Sequence, residues 1–336
     1  MTPVDYRLLE NRYAGFVAYH VAGMRMDEVD PAKPVLQRLV KELRMSIDQR
    51  LWLAWLYGSC YCVATAFYIF TQFPTLNAAL AVDIDAWWKE HRAKVLFESD
   101  RRWVRSRNQF PDMVRSYAAF CRGGQYAAFM RLMKDSPQKS YDAIYAACGK
   151  GLYQFGRFSL FTYLEALYNV TCFPIAPTGL DLREALSCLN GLCYLLGKDS
   201  WVHHAAHAEK LTYKQYEWLQ AKLAELYAYL LRKHPDIPTT YWNLETSLCA
   251  YKKLFFCTRY VGYYIDRQMV EIQKLQAAAP DEADWNLLWR IRREHFNPRA
   301  LGEISGWNGI RHERLRYFMD TGNLAPEGDM PSRCYA

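Results

Sequence analysis

The residues best equipped for chemistry fall in one stretch, Thr239 to Lys253, and resume from Arg259 to Arg267. Glu245, Cys249, Tyr251 and Lys252 come first, then Tyr263, Tyr264, Asp266 and Arg267. A helix that only buried an apolar face would not carry so many polar groups among its rings. A site that holds a nucleobase and a phosphate needs these types, because rings stack on bases and cations bind phosphate oxygens. The acids Glu245 and Asp266 are candidate catalytic groups that manage a proton. Tyr251, Lys252, Tyr263, Tyr264, Arg267 and Cys249 are candidate substrate contacts in the same pocket. Glu245 and Cys249 are i, i+4 on one helix face, and so are Tyr263 and Arg267 on the next. The competing reading is an ordinary ion pair between Glu245 and Arg267.

A second constellation runs from Gly151 to Ser159. Gly156 precedes a helix, where backbone N–H groups can approach a phosphate closely, and Arg157 adds a cation. Asp181, further on, is either an N-cap or a catalytic carboxylate. Basic residues gather in three places: Arg101, Arg102, Arg105 and Arg107 around Trp103; Arg290, Arg292, Arg293 and Arg299; and Arg311, Arg314 and Arg316. Cations interleaved with rings suit a groove that tracks a nucleic-acid backbone, and a solvated helix face is the alternative for each cluster alone. Arg101, Arg102, Arg157 and Gly156 are the candidate phosphate contacts. His203, His204 and His207 share a face, but no H-E-x-x-H occurs and a polar loop is the better reading. Cys60-Tyr61-Cys62 lacks a partner pair, so these thiols read as small buried hydrophobes rather than zinc ligands. No P-loop, Rossmann fingerprint or G-x-S-x-G is present, which excludes the usual NTPase, dinucleotide and hydrolase classes. No cofactor or metal is expected.

These groups must be held by helices. The 336 residues are 51% hydrophobic and 15% aromatic, enough for one large α-helical domain spanning 1–336 or two packed lobes. The net charge of +7 permits nucleic acid as a partner. With no secretory signal, the ten cysteines point to free thiols in a reducing cytoplasm. Leu51 to Phe73 is close to membrane-spanning length, but its polar and aromatic content marks a buried central helix. The helix is expected to start at an Asp48 cap and run to Phe70, before Pro74. Further helices are expected over Asp83–Phe97, Phe110–Arg122, Gln125–Lys134, Tyr141–Cys148 and Phe158–Tyr168. Asp181 should open another that runs to Leu196. Thr212–Lys233, Trp242–Phe256, Tyr263–Ala278 and Trp285–Arg293 complete the set. No alternating strand pair is found, so the fold class is all-α. The segment before Pro34 and the tail after Thr321 read as irregular.

Several segments carry a family resemblance: Glu10-Asn11-Arg12, Asp48 to Gly58, Asp100-Arg101-Arg102, and Glu245-Thr246 through Gly262 to Arg267. They resemble the amino acid:DNA transferases of bacteriophages with hypermodified thymidine, in the α-glutamyl/putrescinyl thymine pyrophosphorylase group. That resemblance implies a two-lobed helical bundle similar to DNA glycosylases. It implies a substrate, too: double-stranded phage DNA in which a partner kinase has phosphorylated 5-hydroxymethyluracil. The transferase would replace the phosphate or pyrophosphate with a free amino acid, glycine or serine, in the cytoplasm of the infected host. The order Gly151–Ser159, helix, Asp181 also looks like the hairpin region of helix-hairpin-helix glycosylases. Two other functions fit the same residues: a glycosylase that uses Asp181, and a non-enzymatic phage DNA-binding protein that would tolerate loss of Glu245 and Asp266.

Overall fold

The computed structural model describes residues 4–97, 105–202, 210–296 and 312–324. Among the described residues the regular elements are all helical. In chain order they are α1 (Leu9–Arg25), α2 (Ala32–Glu42), α3 (Ile47–Cys60), α4 (Val63–Gln72), α5 (Leu76–Leu80), α6 (Ile84–His91), α7 (Arg105–Asn108), α8 (Phe110–Phe120) and α9 (Gln125–Met130). Then come α10 (Pro137–Gly151), α11 (Arg157–Thr171), α12 (Leu186–Leu195), α13 (Tyr213–Lys233), α14 (Tyr241–Leu254), α15 (Tyr263–Ala278), α16 (Trp285–His295) and α17 (His312–Thr321). The chain divides into two compact units. One takes residues up to Pro31, Thr178–Arg267 and the C-terminal part from Phe296; the other takes Ala32–Pro177 and Gln268–His295.

In the second unit α3 is buried from Leu51 to Cys60 and packs most closely on α11. Its cap is Ser46 rather than the expected Asp48. Ser46 Oγ accepts from the Gln49 N–H while Gln49 Oε1 accepts from the Ser46 N–H at 2.9 Å, a reciprocal capping box. Asp48 instead sits in the first turn, where a carboxylate suits the helix dipole. The single long helix expected to Phe70 is two helices, because Tyr61 takes a left-handed φ of 50° and closes α3. Both are buried, and no described helix is long and apolar enough to cross a membrane. Trp52, Trp55 and Tyr117 stack at 5.0 and 4.8 Å. Fully buried rings of this size hold about 3–5 kcal/mol each against truncation to Ala. Gly58 lets α3 close on α11, since a Cβ there would stand 2.6 Å from that of Tyr163.

In the first unit α12 packs most closely on α14, and α1 packs on both. Gly191 of α12 lies on the Leu248 carbonyl of α14, leaving no room for a side chain. The residues before Pro34 are helical, not irregular: α1 fills most of them and α2 begins at Ala32. The buried residues of α1 include Gly15, Phe16, Tyr19, His20 and Gly23, a mixed set without a clean apolar stripe. Packing on α14 stabilises it in place of local pattern. His20 illustrates this: its Nδ1 lies 2.8 Å from Ser247 Oγ and its Nε2 3.0 Å from Thr239 Oγ1. Burial lowers the pKa of His20 to about 4, so the ring is neutral near pH 7. The helix expected to open at Asp181 opens at Leu186. The Asp181 carboxylate and carbonyl bind the N–H groups of Arg183, Glu184 and Ala185, which makes a local turn instead.

Candidate active site

The polar cluster of the first unit is built on α14. Thr240 caps it reciprocally with Asn243, whose Oδ1 accepts from the Thr240 N–H at 2.6 Å. This cap sets the start of the helix. From there, Glu245, Cys249 and Lys252 fall at i, i+4 and i+7 on one face. Cys249 Sγ and Lys252 Nζ both reach Ser187 Oγ of α12, each at 2.8 Å. Burial lowers the Lys252 pKa, and nearby Cys249 and Glu245 oppose that shift. Lys253 is held charged, first by facing Tyr264 and also by Cys249. Glu245 is buried.

A second polar group stands at the start of α15. Asp266 is 0% exposed and accepts a hydrogen bond from the Tyr260 hydroxyl at 2.6 Å, the short length of a bond into a carboxylate. The Arg259 guanidinium lies 4.1 Å from the Tyr263 ring centroid and 5.7 Å from that of Tyr264. Tyr263 is buried, while Tyr264 and Arg267 are half-buried.

Glu28, which the sequence does not single out, joins this group. It follows Asp27, whose φ of 54° ends α1, and the Glu28 N–H returns to the Gly23 carbonyl at 2.8 Å. Its side chain is fully buried. Oε1 accepts from the Tyr264 N–H at 3.5 Å, and Oε2 has no hydrogen-bond partner of ordinary geometry among the described residues. Burial raises its pKa to about 8; the N–H groups of Tyr264 and Gly262 and the Arg259 charge oppose the shift, and Asp266 adds to it. Two adjacent carboxyls thus differ in character, one a proton carrier and the other a hydrogen-bonded acceptor.

Other sequence candidates fall elsewhere. Tyr251 is core: it donates to the Arg12 carbonyl at 3.0 Å and packs edge-on against Phe16. Asp181 is 44% exposed and paired with Arg183 at 2.8 Å. Cys60 and Cys62 are buried, and burial drives the Cys62 thiol well up. None of the described cysteines is in a disulfide.

In the second unit, α10 and α11 are joined by the turn 152–156. An open cleft of about 580 Å³ lies there, lined by Ser116, Lys150, Tyr153, Gln154 and Gly156 among others. The left-handed residue of the turn is Gln154, with φ 64°, not a glycine. Gly156 caps α11 without a side-chain bond, and no atom of the described residues would lie within 4 Å of a Cβ placed on it. Arg157 lies over the Phe161 ring at 5.3 Å. Of the second basic cluster, Arg292 is buried and Arg290 pairs with Glu42 and Glu294. Arg101 and Arg102 lie outside the described residues, as do His203, His204 and His207.

These features define an all-helical protein with a cation-rich site that holds a thiol and several buried acids. The sequence model of the amino acid:DNA transferase family matches residues 25–260, and the chain belongs to that family. Its activity class is therefore transfer of an amino acid onto DNA. The chain is 27% identical over 347 aligned residues to "Serinyltransferase" of Salmonella phage ViI, with 95% of this chain and 83% of that protein covered. No solved structure matches it. The family match takes in Glu28, Ser187, Glu245, Cys249 and Lys252 and stops before Tyr263.

Proposed function

We propose that the protein replaces the phosphate or pyrophosphate on the 5-methylene of a modified uracil in duplex DNA with an amino acid, serine before glycine. The observation that carries this is the face of α14 on which Glu245, Cys249 and Lys252 stand together, with Ser187 and the two lysines about the thiol. The name of the phage ViI relative supports serine. The target base leaves the stack to reach the site, where Tyr263 and Tyr264 offer rings. Lys252, Arg259 and Arg267 suit the anions: the leaving phosphate and the carboxylate of the amino acid. The amine must shed a proton to react, and Glu245 and Asp266 are the bases we assign. Asp181, exposed and paired with Arg183, is a poorer choice. The substrate requires a kinase that phosphorylates 5-hydroxymethyluracil in DNA.

The test is mass spectrometry of nucleosides after incubation with phosphorylated 5-hydroxymethyluracil DNA and mixed amino acids. A nucleoside in which serine has taken the place of the phosphate is expected. Abasic sites without mass gain would make the protein a glycosylase, and no change at all would remove the proposal.

We assign the DNA backbone to the cleft at the α10–α11 turn, with Gly156 N–H and Arg157 as phosphate contacts; Arg101 and Arg102 carry the same assignment from the sequence. Arg157→Ala is expected to weaken binding to every DNA sequence and to flatten the dependence of log K on log salt by about one unit. Turnover at saturating DNA should hold. An unchanged salt slope would leave Arg157 a ring-stacked surface residue.

A further inference from the structure

Ser187, Cys249 and Lys252 are linked by two short hydrogen bonds. An ammonium only donates, so Lys252 Nζ donates to Ser187 Oγ. Ser187 has one O–H, which can point at Cys249 Sγ, 2.8 Å away, once the sulfur is a thiolate and can only accept. As a thiolate the sulfur accepts that bond, from a hydroxyl that a buried cation orients. Lys253 faces the same sulfur. Six of the described cysteines are buried, Cys249 and Cys257 are half-buried, and Cys172 is exposed; of these three, Cys249 is the one bonded to Ser187. A thiol that only filled space would need neither cation.

We propose that Cys249 is a covalent nucleophile that adds to C6 of the target uracil, with Ser187, held by Lys252, donating to the sulfur. This rests on the function proposed above and supplies the way the phosphate leaves. The thiolate forms an S–C6 bond, and the C5–C6 π pair moves into an enolate. The enolate pair forms a double bond from C5 to the exocyclic carbon as the carbon–oxygen bond to phosphate breaks and phosphate departs with its electron pair. The amine then adds to the exocyclic methylene, its surplus proton passes to a carboxylate, and the enolate returns. Expulsion of the thiolate from C6 restores the C5–C6 double bond. Sulfur ends as it began, and no oxidant or reductant enters.

The experiment compares wild type, Cys249→Ser, Ser187→Ala and Ser187→Thr on phosphorylated 5-hydroxymethyluracil DNA, with circular dichroism to establish that each is folded. The amino acid–nucleoside product should be lost in Cys249→Ser. Turnover should fall about 10²-fold in Ser187→Ala, the scale for loss of one aligned donor, and recover in Ser187→Thr, which keeps the hydroxyl. In the absence of amino acid, wild type should release phosphate and give a denaturation-resistant protein–DNA adduct that maps to Cys249. Deuterium at C6 should give an inverse rate effect, since that carbon becomes tetrahedral. A folded Cys249→Ser that makes product at the wild-type rate, with no adduct and no isotope effect, would overturn the nucleophile and leave the transferase reading intact. A wild type that makes no amino acid–nucleoside product would remove both.

Discussion

Gly191→Ala is expected to destabilise the protein by about 3 kcal/mol or more, the upper range for overpacking. The Cβ it adds meets the Leu248 carbonyl and Cα of α14, and backbone in a packed helix cannot swing aside as a side chain can. The helices must separate, and a domain has only about 5–15 kcal/mol of stability in all. The separation also pulls Ser187 on α12 from Cys249 and Lys252 on α14, so activity should fall further than the folded fraction. Gly156→Ala is the contrast. Its Cβ would stand in open space and its φ is −80°, so the change should cost about 1 kcal/mol or less. Urea denaturation of the two variants checks the pair. Equal midpoints would mean that α12 and α14 do not approach as described.

Glu28→Gln is expected to reverse part of the pH dependence of stability. The unfolded carboxyl titrates near 4.5 and the folded one near 8. Between those values the folded protein keeps a proton that the unfolded chain has released, so wild-type stability falls as pH rises through the window and levels off above it. Glutamine has no such proton. The variant should gain on wild type by about 1.4 kcal/mol for each unit of pH across the window. Any cost of fitting the amide is a constant offset, so the slope is the quantity to read. His20, neutral when buried, acts in the opposite sense below its ordinary pKa, but it is present in both proteins and cancels. Denaturation at pH 5, 7 and 9 measures the difference, and parallel profiles would show that Glu28 is ionised throughout.

Where local chemistry set the structure, the sequence alone was enough. Thr212 and Gln215 cap α13 reciprocally, and α15 spans Tyr263–Ala278 as its pattern predicts. The face of α14 that carries Glu245, Cys249 and Lys252 follows from the helical repeat once Thr240 starts the helix. Tertiary structure decided the rest. The Tyr251 hydroxyl goes to a carbonyl of α1, and a helical pattern cannot say which of two adjacent residues turns to the core. Asp181 bonds its own next residues before any helix can form. Ser187 is 62 residues from the thiol it meets. Glu28 is 236 residues from the N–H it binds, and its raised pKa exists only because packing removes water from it. Spacing along a chain records which residues share a helix face; burial and long-range pairing arise only when faces distant in sequence close on one another.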